Sequence, residues 1–155
     1  MDMPSRQMTR TDSTTRIVRA GLWLSIVATG LALRKFGPGL GLSFPLVKYG
    51  GSVLWGTMVF FSVAIAASGQ SRWRIGLISI SIAVGVELFR LVHAPWLDAF
   101  RLTTAGALLL GRVFSLWNIV AYGAGILLGM ALDRFGAAAV TKARLSAADA
   151  PHSAN

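Results

Sequence analysis

Glu87 is the residue whose type and position most demand chemistry. It is the only acid inside any of the long apolar runs of this chain, and Arg90 follows three residues later. An ionised carboxylate at the centre of a bilayer costs at least about 2.5 kcal/mol unless it is paired, so an acid in such a place is a functional-site hypothesis by default. Two chemistries are open to it. It can act as a base or proton carrier, or it can pair with Arg90 one turn away and seal a helix bundle. The segment HAPWLDAFR then supplies His93, Asp98 and Arg101. His93 could exchange protons near neutral pH, although beside Pro95 and Trp96 it also suits an interfacial position. Asp98 and Arg101 stand three apart and can pair on a short helix that starts after Pro95. Arg112, Asn118 and Tyr122 complete the polar set near the start of the last apolar run.

Other chemistries lack their residues. The chain has no Cys, which removes thiolate catalysis and Cys-based zinc sites. A metal needs several converging ligands, and Glu87, His93 and Asp98 are the only candidates, so no metal is expected. There is no Ser-His-Asp order, P-loop or dinucleotide glycine motif, and Gly37–Gly41 neither follows a strand nor opens a helix. No cofactor and no named catalytic residue are expected.

The elements that must position these side chains are helices in a membrane. Apolar types make up 54% of the 155 residues, 14% are charged, and mean hydropathy is +0.62. An ordinary globular domain carries about 25% charge. Soluble enzyme, disordered chain and disulfide scaffold are therefore poor readings. The net charge of +9 comes mostly from basic residues that flank apolar runs, such as Arg16 with Arg19, Arg34 with Lys35, and Arg72 with Arg74. Nucleic-acid binding needs a basic face on a soluble scaffold, so no nucleic acid is expected.

The pattern predicts an all-α polytopic membrane protein with four transmembrane helices. The spans are 17–33, 49–67, 75–92 and 113–132 within a domain covering 16–133. Residues 1–15 read as a disordered basic arm and 134–155 as a polar tail that frays early. Arg19 interrupts the first span and is expected to snorkel to the interface. No convincing small-x-small site follows that span, so a cleaved signal peptide is not expected. Between Arg34 and Lys48, Gly37, Pro38, Gly39, Gly41 and Pro45 impose a loop. The apolar segment 96–111 is too short to cross, which leaves a re-entrant or interfacial helix before the last span. Trp96 and Trp117 are expected at headgroup level.

Gly76, Ser79, Ala83, Glu87 and Arg90 recur at spacings of three and four, so they share one helical face. Asn118, Tyr122, Gly125 and Gly129 do the same in the last span, and the Gly125–Gly129 spacing fits close helix packing. With both termini placed on the cytoplasmic side, nine basic residues lie inside and six outside, which the positive-inside rule favours. The outer face then carries Glu87.

YGGSVLW, ELFRLVHAPWLDAFR, LLLG and FSLWNIVAYGAGILLG together resemble the bacterial membrane family called domain of unknown function 2809, from about Ile17 to Asp133. More distantly, the order of polar residues resembles VanZ-like proteins, which the resemblance links to glycopeptide resistance. Within the first family, Glu87 matches the acid, and Gly111, Phe114, Tyr122 and Gly125 match the last-helix pattern. Ser52 stands where Asp is usual, Arg90 where Gln is usual, and Asn118 where Asp is usual. The resemblance implies a polar cluster shifted toward positive charge and lacking two of three acids, which weakens a catalytic role.

The leading expectation is a non-enzymatic protein of the bacterial cytoplasmic (inner) membrane. Its outward-facing polar pocket of Glu87, Arg90, His93, Asp98, Arg101, Arg112, Asn118 and Tyr122 would suit an anionic lipid headgroup or a lipid-linked envelope precursor. The alternatives are an enzyme acting on such a lipid, with Glu87 or His93 as base, or a small transporter subunit. Four spans without an internal repeat are few for a transporter, so that reading requires a homo-oligomer or a partner.

Overall fold

The computed structural model describes residues 4–109 and 114–148. The described residues form six helices: α1 Pro4–Phe36, α2 Phe44–Ala66, α3 Arg72–Phe89, α4 Pro95–Leu102, α5 Thr104–Leu109 and α6 Leu116–Ala148. A single 3₁₀ turn, Pro38–Leu40, lies in the first loop. There the Gly41 amide donates to the Pro38 carbonyl at 3.1 Å with φ at 77°, a left-handed conformation that glycine reaches without steric cost.

Three helices are long and apolar enough to cross a membrane: Ser13–Phe36, Phe44–Ala66 and Leu116–Lys142. The third of the four expected spans falls on α3. It is 18 residues long and carries Arg72, Arg74 and Glu87, so length and composition alone do not qualify it. Three apolar helices of this kind mark a membrane protein.

Both expected ends of the domain differ. α1 begins at Pro4, so most of the supposed disordered arm continues the first helix. α6 runs on to Ala148, four turns past Leu132. The reason is propensity: GAAAVTKARLSAA is rich in alanine, the strongest helix former, and its polarity disguised that. The short apolar run after Pro95 also resolves differently, into two helices broken at Thr103. The Thr103 hydroxyl donates to the Phe100 carbonyl and accepts the Gly106 amide at 3.1 Å, so it acts as N-cap to α5.

α2 is the central element and packs against α1, α3 and α6. Phe60, Phe61, Ala64, Ile75, Ala83, Tyr122 and Ile126 form the core between them. The α2–α6 contact is a backbone approach. A Cβ on Gly125 would overlap the Val53 carbonyl, one on Gly56 would meet the Tyr122 carbonyl at 2.5 Å, and one on Gly129 would meet the Phe60 ring at 2.7 Å. The Thr57 hydroxyl donates to the Gly125 carbonyl at 2.8 Å across this contact. The glycine pair of α6 therefore faces α2 within the chain. On α3, Gly76 lies against Met130 of α6, and Ser79 and Ala83 are buried on the same face. Gly125→Ala is expected to force α2 and α6 apart and to lower stability by about 1–3 kcal/mol. Thermal unfolding in mild detergent checks this, and an unchanged midpoint would refute the close approach.

Polarity is distributed inside out. Arg19, Thr57, Ser79, Glu87, Arg90, Arg101, Asn118 and Asp133 are buried, while Ile17, Leu24, Trp73, Trp117, Val120, Leu127 and Phe135 are exposed. A water-soluble fold does not tolerate so many large apolar side chains on its outside around a charged interior.

Candidate functional site

Glu87 lies on the last turn of α3, fully buried at 0% exposure. Its surroundings come from three directions. The Ser115 amide donates to Oε1 at 2.7 Å and Asn118 Nδ2 to the same oxygen at 3.2 Å. The Tyr122 hydroxyl donates to Oε2 at 3.1 Å, and Arg90 Nη1 forms an ion pair with that oxygen. Each carboxylate oxygen thus has two donors. Arg90 Nη2 in turn donates to the Tyr122 hydroxyl at 2.9 Å.

The geometry follows from the helix ends. Ser115 precedes α6, and its carbonyl accepts the Asn118 amide at 2.9 Å, so it stands at the N-cap with its own N–H free for a ligand. Glu87 fills that place. A carboxylate there also faces the positive end of the α6 dipole. Asn118 and Tyr122 lie one turn apart on α6 and reach the same acid. Behind them, Ser52 of α2 donates to Asn118 Oδ1 at 3.4 Å, and the Trp55 ring lies 4.7 Å from that of Tyr122.

Among the described residues, Arg101, Asp98 and His93 make their contacts apart from this cluster. Arg101 of α4 turns to the end of α3 and donates to the Phe89 carbonyl at 2.7 Å and the Val92 carbonyl at 2.8 Å. A cation at these C-terminal carbonyls caps the helix and meets the negative end of its dipole. Arg101 Nη1 also contacts Asp98 Oδ1 at 3.0 Å, and the guanidinium lies 5.8 Å from the centre of the Phe89 ring. Asp98 is half-exposed, and His93, with its side chain 70% exposed, lies 3.4 Å through Nδ1 from the same Asp98 Oδ1. Arg112 lies outside the described residues. Among the described residues no three His, Cys, Asp or Glu side chains gather as a metal would require.

A second polar centre escaped the sequence reading. Asp133 of α6 is buried between Arg19 of α1 and Arg72 of α3. Its Oδ1 lies 2.7 Å from Arg19 Nε and its Oδ2 2.8 Å from Arg72 Nε. Arg19 also donates through Nη1 to the Ala64 carbonyl of α2 at 2.8 Å. α1, α3 and α6 therefore meet at one carboxylate, and Arg19 ties α2 to them. Arg19 does not snorkel; it points into the bundle. The available signal was antiparallel depth, because Arg19, Arg72 and Asp133 all stand at the same end of their runs.

The two centres cap opposite ends of the bundle with the apolar core between them. In each, one carboxylate is held by donors from neighbouring helices, which ties those helices together. No solved structure matches the chain. A family model described as "Protein of unknown function (DUF2809)" matches residues 43–126, from the start of α2 into α6, and so includes Glu87, Arg90, Asn118 and Tyr122. That match covers more than half of the chain, which belongs to this family of unknown function.

Proposed function

We propose that the protein is a non-enzymatic four-span protein of the bacterial inner membrane, with both termini cytoplasmic, whose outer end binds the headgroup of an anionic lipid or lipid-linked envelope precursor. The observation that carries the non-enzymatic part is the saturation of Glu87, since a carboxylate with four donors on its two oxygens has no lone pair positioned for a substrate proton.

The fourth span is α3. Its charges do not oppose insertion, because Arg72 and Arg74 stand at one end and Glu87 is paired at the other. Interfacial side chains recur at matching separations. Arg16 to Arg34 on α1 and Trp117 to Phe135 on α6 each cover about 27 Å of helix at 1.5 Å per residue, close to the roughly 30 Å hydrocarbon thickness. Aromatic and basic side chains favour those two levels.

At the outer end the cations Lys48, Arg90, Arg101 and Arg112 outnumber the acids Glu87 and Asp98, which supports an anionic partner. Native mass spectrometry from mild detergent tests the reading, using wild type and the Lys48→Ala, Arg112→Ala double variant. One class of anionic lipid retained by wild type and lost by the folded variant is expected. Wild type with no preferred lipid, or a variant that keeps it equally, would overturn the headgroup site.

A further inference from the structure

α4 buries its one arginine and turns an uncharged, apolar surface outward. Leu97 and Arg101 face inward, and Arg101 is only 3% exposed. The outward surface holds Trp96 at 71%, Leu102 at 68% and Phe100 at 41% exposure, with Ala99 exposed between them. Asp98 sits at the boundary and is held by Arg101. At about 100° per residue, Leu102, Ala99, Trp96 and Phe100 cover close to half of the helix circumference without one charged group. In water this order would be reversed. A short helix that spends its arginine on capping α3 and presents a tryptophan outward is stable only where the outward medium is apolar.

The neighbouring surfaces point to what that medium is. α4 is tied by Arg101 to the end of α3, where Leu88, Phe89, Leu91 and Val92 are also exposed, and Leu116 and Trp117 are exposed at the start of α6. The apolar edge of α4 thus continues the outer ends of two helices whose sides face lipid. Eight residues give about 12 Å of helix, too short to cross or re-enter and return. Trp96 is amphipathic and prefers the headgroup boundary.

We infer that α4 lies in the outer leaflet at the boundary of headgroups and acyl chains, with Trp96, Phe100 and Leu102 immersed, so that any ligand of the outer polar end arrives from within the leaflet as an amphiphile. This rests on the four-span reading of the chain. Because the chain has no cysteine, single substitutions can be labelled directly. Nitroxide labels at Trp96→Cys, Ala99→Cys and Phe100→Cys, in liposomes of phosphatidylglycerol and phosphatidylethanolamine, would be read by power saturation with oxygen and with a water-soluble nickel chelate. Ile82→Cys serves as the mid-span reference on α3 and Gly39→Cys as the aqueous one.

The expected result is greater access for oxygen than for nickel at positions 96, 99 and 100, intermediate between Ile82 and Gly39. Nickel-dominated access at these positions, with Ile82 still oxygen-dominated, would overturn the placement of α4 alone. Low access to both reagents would overturn it in favour of a covering protein surface. Nickel access at Ile82 would instead remove the four-span reading on which the inference stands.

Discussion

Glu87→Gln is expected to lower the stability of the folded protein by about 3–5 kcal/mol, the usual cost of removing one partner from a buried ion pair. The amide keeps the size of the side chain, so the loss comes from charge rather than from a cavity. Arg90 would remain buried with its charge facing a neutral amide in place of the carboxylate. Two of the four donors at Glu87 would also meet an NH₂ group instead of an oxygen. A double variant separates this account from a loss of helix capping. Glu87→Gln with Arg90→Gln removes both charges, and it should recover part of the stability lost by Glu87→Gln alone. Reversible unfolding in mixed micelles gives both numbers. A Glu87→Gln protein as stable as wild type would refute the role of the pair and would return the residue to candidacy as a proton carrier, because function could then depend on its charge while the fold does not.

Asp133→Asn is expected to cost a similar amount, about 3–5 kcal/mol, for the same reason at the opposite end. Here one carboxylate serves two arginines with different surroundings. Arg19 is buried, whereas the Arg72 side chain is 44% exposed. Removing Arg72 should therefore be mild, under about 1 kcal/mol for Arg72→Ala, because an exposed ion pair in high dielectric is worth little. Arg19→Ala should cost more than Arg72→Ala, since Arg19 also holds the Ala64 carbonyl of α2. The same unfolding measurement tests all three. Equal losses for the two arginine variants would show that burial does not control the strength of this cluster.

The two centres were unequally visible in the sequence. Glu87 and Arg90 announce themselves because an acid in an apolar run is rare, and because a spacing of three places both on one face. Asn118 and Tyr122 follow from the same periodicity. Asp133 read only as the last residue of the domain, since the apolar run ended just before it. Its importance depends on Arg19, 114 positions away along the chain. Arg101 was legible as a partner of Asp98, and that contact exists. Its stronger commitment to the carbonyls of Phe89 and Val92 depends on how the loop after α3 folds back, which no local spacing encodes.

Alone, the sequence determined the helical class, the apolar runs and the small-residue faces at Gly76, Ser79 and Ala83 and at Gly125 and Gly129. These are properties of a repeating 3.6-residue geometry and of side-chain transfer into lipid, and both act over one or two turns. Tertiary structure decided which faces meet. Gly56 and Gly125 let the α2 and α6 backbones touch, and that crossing sets Tyr122 beside Trp55 and brings Asn118 within reach of Ser52. With α3 packed against both helices, it aims Asn118 and Tyr122 at Glu87. Contacts between helices depend on crossing geometry and depth, which are fixed only when backbone approach, ion pairing and core packing are satisfied together.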